Sequence, residues 1–275
     1  MRLIVSSKSD PASLNIQDKL LTSNWKCMGE YMGTPFYRRD NDILVTVKEH
    51  HIYVDEVDKE VSELIGETID LVVYISKHAS KAGIHSLTVH PVGNFGRAKF
   101  GGKSNVLVPP APMEMTFALR RLHENAKKMG LNRDYEVSFE VTHHGPYLTT
   151  PTYYIEIGSD KQSWMNDRAG KAVASTVIEQ GDYEAGRVTT VVCIGGGHYA
   201  PHFTDMVKEK EVAVGHMVPG WALKNLTEKG LATALKQSKT NLVCVDPGGL
   251  KSSFSKCITK WCENIGAEMV EPSDI

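Results

Sequence analysis

Short apolar runs rich in β-branched residues recur along the chain. They predict β-strands, because branched side chains pack well on an extended backbone. The candidate strands span residues 3–5, 36–38, 43–47, 69–75, 86–89, 135–142, 152–157, 188–194, 212–214 and 242–245. Most are too short and too uniformly apolar to be amphipathic helices, so we expect several to be buried on both faces.

Segments with helical periodicity and clear start signals separate these runs. Asp10 before Pro11 predicts a helix through residue 21, since aspartate caps a helix and proline fits its first position. Pro112 opens a longer helix that Gly130 ends. On one face of that helix we expect Met115, Leu119, Leu122, Ala126 and Met129. Further helices are predicted over residues 160–177, 227–236 and 252–265.

Strands that alternate with helices predict an α/β fold, with helices layered on a largely parallel sheet. The stretch from residue 135 to residue 157 predicts an antiparallel pair, so the sheet should be mixed. In such sheets binding sites gather at the carboxyl ends of the strands. The proline-rich bend at residues 109–112 indicates a rigid turn more than a linker, and we expect residues 1–275 to form a single domain.

Composition narrows the class of protein. The chain has 41% hydrophobic and 23% charged residues and a formal charge of -2, which argues against a protein that coats nucleic acid such as DNA. A local basic patch remains compatible with that charge. The five cysteines include no C-x-x-C pair, and two lie in apolar strands, so we expect reduced core residues in a cytoplasmic protein. No secretory segment and no membrane-spanning run is expected.

Residues 191–203 are the most informative segment. The apolar run Val191-Val192-Cys193-Ile194 leads into Gly195, Gly196 and Gly197, and His198 and His202 follow. Glycine amides approach ligands closely and could cradle an oxyanion or a phosphate, while histidine binds metals or moves protons at neutral pH. Pro201 favours a helix start near residue 200, so the two histidines should not share a helix face. The alternative is a glycine-rich turn with two surface histidines.

Other histidines and one carboxylate stand at predicted strand ends. His90 precedes a proline, and only one of His143 and His144 should face a given cleft if both lie in a strand. Glu156 has apolar neighbours, so it is either a buried partner of a histidine, a general base, or an outward-facing carboxylate. Zinc takes three or four such ligands, and the candidates are His90, His144, His198 and His202.

A basic loop follows His90. Arg97, Lys99 and Lys103 surround Phe100, a combination that suits an RNA end, since cations meet phosphates and a ring stacks on an unpaired base. A solvated loop is the alternative. The chain lacks a G-x-S-x-G nucleophile elbow, and its cysteines look buried, so hydrolysis by an activated water is favoured over a protein nucleophile.

Three motifs resemble one family. These are T-V-H-P-V-G-N at residues 88–94, T-H-H-G-P at 142–146 and G-G-G-H-Y-A-P-H-F-T at 195–204. They resemble the archaeal and plant type of D-aminoacyl-tRNA deacylase, nearly end to end. The resemblance implies hydrolysis of the ester between a D-amino acid and the 3' end of tRNA, for example D-tyrosyl-tRNA, with broad side-chain tolerance. This activity would protect translation from D-amino acids. The resemblance also implies a zinc requirement and a monomeric α/β/α fold similar to peptidyl-tRNA hydrolases and nucleoside phosphorylases.

With that resemblance, we expect zinc on His90, His198 and His202 to acidify a water or polarise the ester carbonyl. His144 or Glu156 would take the proton, and His198 would be essential for catalysis. The expected substrate-binding residues are Asn94, Arg97, Lys99, Phe100, Lys103, Gly195, Gly196 and Gly197. The alternatives are a zinc-dependent peptidase or amidase for small substrates, and a non-catalytic protein that binds RNA ends.

Overall fold

Two β-sheets and the helices packed on them make up the fold. The computed structural model describes residues 1–180, 188–246, 250 and 252–275. The strands are β1 (Arg2–Ser7), β2 (Lys26–Tyr31), β3 (Thr34–Arg39), β4 (Asp42–Val47), β5 (Leu71–Lys77), β6 (Ser86–Pro91), β7 (Glu136–Phe139), β8 (Thr152–Gly158), β9 (Thr189–Ile194), β10 (Val212–Val218), β11 (Leu242–Val245) and β12 (Glu268–Val270). The α-helices are α1 (Pro11–Leu20), α2 (Val57–Ile65), α3 (Pro112–Lys128), α4 (Lys161–Trp164), α5 (Asp167–Gln180), α6 (Pro201–Glu209), α7 (Glu228–Gln237) and α8 (Ser252–Ile265), and two 3₁₀ helices span His51–Tyr53 and Gly220–Asn225.

The larger sheet has the strand order β2-β3-β4-β1-β5-β8-β6-β7, and the smaller one has the order β10-β9-β11-β12. The smaller sheet is parallel throughout. In the larger sheet β1, β4, β5 and β8 run parallel, whereas β6 is antiparallel to β8. The predicted α/β class with a mixed, largely parallel sheet is therefore confirmed.

Alternating side chains divide the larger sheet between two cores. Ile4 and Val73 pack in one core with α1, α3 and α5, while Leu3 and Val72 pack in the other with α2. This follows from the period of two in a strand, which sends neighbouring side chains to opposite faces. Helices therefore cover both faces of the sheet. Among the helices of the described residues, none combines the length and apolar character needed to cross a bilayer.

The predicted elements largely match the observed ones, with specific exceptions. Asp10 caps α1 by accepting a hydrogen bond from the Ser13 amide, as expected. Strand β2 was not predicted because it contains no run of apolar β-branched residues and is mostly exposed, and β12 is very short. Helix α2 was not predicted either, and the single helix expected over residues 160–177 is divided into α4 and α5.

The antiparallel pair predicted between residues 135 and 157 is wrong. Strand β7 pairs parallel with β6, and it is β6 that lies antiparallel to β8. A hairpin between β7 and β8 would need a short connection. Instead, residues 140–151 form a long crossing segment, and that segment carries Glu140, His143 and His144.

The two sheets meet at the segment that follows β7. The amide of Glu140 donates to the carbonyl of Val89 at the end of β6, at 3.0 Å. The next amide, Val141, donates to the His198 carbonyl at 3.0 Å, and the Thr142 amide donates to Met217 in β10 at 2.9 Å. Three consecutive amides thus fix residues 140–142 to β6, to the loop after β9 and to β10. Side chains from both sheets can therefore share one rigid site.

A buried histidine near this junction predicts acid sensitivity. Burial lowers the pKa of His216 from 6.5 to about 4, although its contact with Gln237 partly opposes the shift. Because the folded pKa is the lower one, the unfolded chain binds the proton first as the pH falls below 6.5. The free energy of unfolding should fall in the wild type when the pH is lowered from 6.5 to 5. We expect this fall to be about 2 kcal/mol smaller in the His216→Gln variant. Urea denaturation at both pH values measures this, with the half-exposed His85→Gln as control, and equal losses in wild type and His216→Gln would contradict it.

Candidate functional site

The candidate site lies on the face of the larger sheet over β6 and β8. His90 near the end of β6 is the cross-strand neighbour of Tyr154, and their rings stack with centroids 5.1 Å apart. Leu87 and Val89 pack in the core on the other face. Strands β5 and β6 run in opposite directions, since both border β8, so their carboxyl ends lie at opposite edges of the sheet. The site therefore extends across the face of the sheet between the two ends of these strands, whereas we had expected it at one end only.

Two buried glutamates connect the histidines of the site. Glu156 Oε2 lies 3.7 Å from both His78 Nδ1 and His90 Nε2. Glu140 lies 3.1 Å from His78 Nδ1 through Oε1 and 2.8 Å from His198 Nε2 through Oε2. Of the three roles considered for Glu156, the outward-facing carboxylate is wrong, because the side chain is buried between two imidazoles.

Charge pairing outweighs burial at this centre. Burial opposes a charge on His78, but its contacts with Glu140 and Glu156 raise its pKa to about 11. Burial likewise opposes ionised glutamates, but the neighbouring histidines hold the pKa values of Glu140 and Glu156 below the ordinary range. Burial also opposes a charge on His90, and Glu156 nevertheless raises its pKa. At neutral pH both carboxylates are therefore ionised and His78 is charged.

His143 and His144 both turn toward His90. Their ring centroids lie 4.2 Å and 4.9 Å from that of His90. The expectation that only one of them faces the cleft is wrong, because β7 ends at Phe139 and His144 has a positive φ of 44°. Burial and the charge of His90 lower the pKa of both imidazoles, that of His144 to about 4. Both are neutral at pH 7 and can offer a nitrogen lone pair.

Backbone carbonyls set the orientation of three imidazoles. The Nδ1 atoms of His90, His143 and His144 lie 3.1, 2.7 and 2.6 Å from the carbonyl oxygens of Pro91, Val141 and Gly145. In the neutral His143 and His144, an Nδ1–H that donates to a carbonyl leaves Nε2 as the unprotonated nitrogen, whereas His90, whose Nε2 faces Glu156, would have to release its Nε2 proton to bind a metal ion. Histidine ligands of metal ions are typically held in this way.

These residues fit a metal ion. Ligand atoms within 4.8 Å of one another form three groups, namely His90 with His143 and His144, His78 with Glu140 and His198, and His90 with Glu140 and Glu156. His90 Nε2 and both carboxylate oxygens of Glu140 are buried without a hydrogen-bond partner, so these atoms are available to a metal ion. Nitrogen and oxygen donors of this kind suit zinc and similar divalent ions.

The structure does not bring His202 into these groups. Its Nδ1 lies 2.5 Å from Asp246 Oδ1, and 61% of the side chain is exposed. Helix α6 begins at Pro201, as expected, which carries His202 away from His198 in the preceding loop. Of the three residues expected to share one ion, His90 and His198 therefore lie in neighbouring groups and His202 stands apart.

The triple-glycine segment is partly occupied by backbone hydrogen bonds. The Gly195 amide donates to the Val218 carbonyl at 2.9 Å, and the Gly196 carbonyl accepts from the Gly220 amide at 3.0 Å. Gly195 and Gly196 have φ values of 120° and 76°, which side-chain-bearing residues rarely adopt. The Gly195 amide is thus engaged in holding the segment against β10, and the cradle hypothesis is left with Gly196 and Gly197.

A cleft of about 540 Å³ opens above the histidines. His143, His144 and His198 line it together with Arg97, Lys99 and Phe100. Phe100 is 62% exposed. The basic loop and the histidines therefore face one space.

Two residues expected to bind substrate also hold the loop. Asn94 lines the cleft and donates through Nδ2 to the Gly101 carbonyl at 3.1 Å. Lys103 places its ammonium 3.5 Å from the centroid of the Tyr147 ring, a cation–π contact. Both contacts fix the loop against the chain that carries the histidines.

The loop and the histidine segment cross with their backbones in contact. The Gly145 amide donates to the Phe100 carbonyl at 2.9 Å. A Cβ atom added at Gly145 would lie 2.2 Å from the Gly102 nitrogen and 2.4 Å from the Gly101 carbonyl carbon, which is too close for any side chain. Glycine is therefore required at this crossing.

Sequence reasoning assigned no role to His78 or Glu140. His78 follows β5, and its Nε2 lies 3.1 Å from the hydroxyl of Tyr199, beside His198. Glu140 directly follows the apolar end of β7 and precedes the T-H-H-G-P motif. A carboxylate at that position, three residues before a histidine pair, was the available signal.

Comparisons with known proteins agree on one family. Residues 65–270 match the family model for D-aminoacyl-tRNA deacylase. The chain is 34% identical to the D-aminoacyl-tRNA deacylase of Pyrococcus horikoshii over 279 residues, covering 98% of this chain and 100% of that one. It is 31% identical to the D-aminoacyl-tRNA deacylase of Archaeoglobus fulgidus, covering 100% of this chain and 98% of that one. A crystal structure described as a conserved protein of unknown function superimposes with a TM-score of 0.92 at 30% identity, covering 99% of this chain and 95% of that one.

Proposed function

The chain belongs to the D-aminoacyl-tRNA deacylase family, and from that premise we propose that it hydrolyses the ester between a D-amino acid and tRNA. Water adds to the ester carbonyl, the bond between the carbonyl carbon and the ribose oxygen breaks, and free tRNA and the D-amino acid leave. The observation that carries the proposal is the shared cleft. The histidine centre and the basic loop with Phe100 face the same 540 Å³ space.

An aminoacyl ester is reactive, so the enzyme chiefly needs a positioned water, a base and a stabilised oxyanion. We assign the base to His198. Its side chain is 38% exposed, it lines the cleft, and Glu140 lies 2.8 Å from its Nε2. That carboxylate would orient the ring and stabilise the imidazolium, so the other ring nitrogen can accept the proton of the attacking water.

The bases expected from the sequence are weaker candidates. The pKa of Glu156 is held below its ordinary range by two histidines, and the carboxylate is buried beneath them. Burial lowers the pKa of His144 to about 4, so it binds a proton poorly at neutral pH. A general base works best with a pKa near the working pH. Glu156 would instead position His78 and His90.

We propose that zinc binds at the group formed by His90, His143 and His144. Their Nδ1 atoms are tied to backbone carbonyls, so the three Nε2 atoms are the natural donors. A bound zinc ion would supply Lewis acidity close to the cleft. His144 would then act as a ligand, and His202 would have no part in the metal site.

The remaining contacts belong to the same proposal. Arg97 and Lys99, which line the cleft, meet phosphates of the acceptor end, and Phe100 stacks on an unpaired base. Lys103 does not line the cleft, and its ammonium would leave the Tyr147 ring to meet a further phosphate. The amides of Gly196 and Gly197 directly precede His198 and are the proposed oxyanion donors, but neither glycine is among the residues that line the cleft. The proposal also includes broad tolerance of the amino acid side chain, a monomeric state, a single domain over residues 1–275 and a cytoplasmic location. The mixing of residues from both sheets in one core supports the single domain.

The decisive experiment compares hydrolysis of D-tyrosyl-tRNA and L-tyrosyl-tRNA by the purified protein, with and without a chelator. We expect the D-ester to be cleaved and the L-ester to be spared. The chelator should abolish cleavage, and added zinc should restore it, with zinc content measured on the same samples. Retention of tRNA without cleavage would instead identify a binding protein for RNA ends.

Neutralising the basic loop separates the deacylase from a zinc peptidase or amidase for small substrates. We expect the combined change of Arg97, Lys99 and Lys103 to glutamine to weaken tRNA binding and to reduce the log–log salt slope by about 2, at ~0.7 per single-strand phosphate contact. Filter binding over a salt series measures the slope. The matched control changes three exposed lysines outside the cleft, Lys236, Lys256 and Lys260, to glutamine. An unchanged slope in the loop variant would favour the small-substrate hydrolase.

A further inference from the structure

A second exposed aromatic residue borders the cleft. Trp221 is 56% exposed and lines the same space as the histidines and Phe100. It lies in the 3₁₀ helix Gly220–Asn225, to which the sequence assigned no function. Leaving an indole in water forgoes the hydrophobic stabilisation that its large apolar surface could provide. Such exposure beside a cleft is typical of a binding surface.

The exposure of Trp221 is built into the fold. Its neighbours Ala222 and Leu223 are buried and pack in the core of the smaller sheet. The Gly220 amide bonds to the Gly196 carbonyl at 3.0 Å, which ties the start of the 3₁₀ helix to the triple-glycine segment. Anchored on both sides, the indole is held toward the cleft.

A cation accompanies the indole on the same face. In a 3₁₀ helix residues three apart are superimposed along the axis, so Lys224 stands beside Trp221. Both residues line the cleft. The basic loop has the same combination, with Phe100 between Lys99 and Lys103. The two elements also touch, since a Cβ atom added at Gly96 in the loop would lie 2.6 Å from Nδ2 in the side chain of Asn225.

We propose that Trp221 is a second stacking platform for an unpaired base of the single-stranded acceptor end, and that Lys224 meets an adjacent phosphate. This inference rests on the proposed function and names the part of the substrate that the site would take. Two rings, each with cations beside it, match a strand in which bases and phosphates alternate. An amino acid side chain carries no repeating anionic charge and gives no reason for a lysine at this position.

The test measures binding of a single-stranded ACCA oligoribonucleotide that carries no amino acid, by fluorescence anisotropy at fixed salt. Stacking is worth about 1–3 kcal/mol per base, so Trp221→Ala should raise the Kd by roughly 5- to 150-fold. Trp221→Phe keeps a ring and should retain most of the affinity. Met165→Ala serves as the control, because Met165 is equally exposed but does not line the cleft.

Two further readouts complete the test. The oligoribonucleotide should quench the intrinsic fluorescence of the wild type, and Trp221→Phe should lose that quenching. Trp221→Ala should raise KM for D-tyrosyl-tRNA with kcat nearly unchanged. Equal oligoribonucleotide affinity in the wild type and Trp221→Ala overturns the inference. It is also overturned if Trp221→Ala changes only the inhibition by free D-tyrosine, because Trp221 would then contact the amino acid.

Failure of this inference and failure of the proposed function are distinguishable. Oligoribonucleotide binding does not depend on ester cleavage. If the wild type cleaves D-tyrosyl-tRNA but Trp221→Ala binds the oligoribonucleotide normally, only the platform is wrong. If the wild type cleaves no aminoacyl ester, the proposed function fails whatever Trp221 does.

Discussion

Alanine in place of His198 is expected to lower the turnover of D-tyrosyl-tRNA by two to four orders of magnitude, about the range that a positioned general base contributes. The imidazole lies 2.8 Å from Glu140 and reaches the cleft, where the attacking water would lie. His198→Ala removes one partner of the buried Glu140 carboxylate, which keeps His78, so the free energy of unfolding should fall by about 1–3 kcal/mol, less than in Glu140→Gln. Single-turnover deacylation measures the rate, and urea denaturation measures the stability. Near-normal deacylation by His198→Ala would contradict the assignment.

His202→Ala is the informative companion to that variant. The sequence placed His202 on the metal, whereas the structure pairs it with Asp246 and leaves it exposed. We expect His202→Ala to keep its zinc and most of its turnover. Loss of zinc in this variant would instead support His202 as a zinc ligand, as expected from the sequence.

Glutamine in place of Glu140 is expected to damage both activity and stability. The change keeps the size of the side chain but removes the buried negative charge that faces His78 and His198. Taking one partner from a buried ion pair strands the other, at a cost of ~3 kcal/mol or more. Turnover should fall by at least about two orders of magnitude, because His198 loses its orienting carboxylate.

The Glu140 result can be checked in two ways. Urea denaturation gives the loss of stability, and NMR titration follows His78, whose pKa of about 11 depends on its two carboxylate partners and should fall in Glu140→Gln. A pKa raised above 6.5 means that this contribution to stability is complete below pH 6.5 and is lost as the pH rises toward 11. Glu136→Gln, at the exposed start of β7, the strand that Glu140 follows, should alter neither rate nor stability. Wild-type values for Glu140→Gln would refute the role of this carboxylate.

Local sequence signals predicted the elements well and the site only in part. The helix starts marked by Asp10 and Pro201 and the apolar runs depend on neighbouring residues, so they could be deduced from the chain alone. The partnership of Glu156 with His90 depends on which strands become neighbours. Strand β8 enters between β5 and β6, and no local pattern specifies that order.

The same reason explains the residues that sequence reasoning missed. His78 joins the centre because β5 borders β8, and Glu140 joins because three amides fix its segment between the two sheets. His143 and His144 were expected on opposite faces if both lay in a strand, although the predicted strand ended at residue 142. Instead, a turn with one positive φ brings both rings to His90.

The glycine crossing between the basic loop and the histidine segment also limits how the loop can change. Asn94 holds one side of the loop and the contact of Gly102 with Gly145 holds the other, so the number of residues between them is fixed by two attachments. If the basic loop binds the acceptor end as proposed, exchanging exposed side chains such as Lys99 or Phe100 should alter affinity alone. Adding or removing one residue would break an attachment, so the loop would act as a spacer of set length between bound phosphates and the reacting ester.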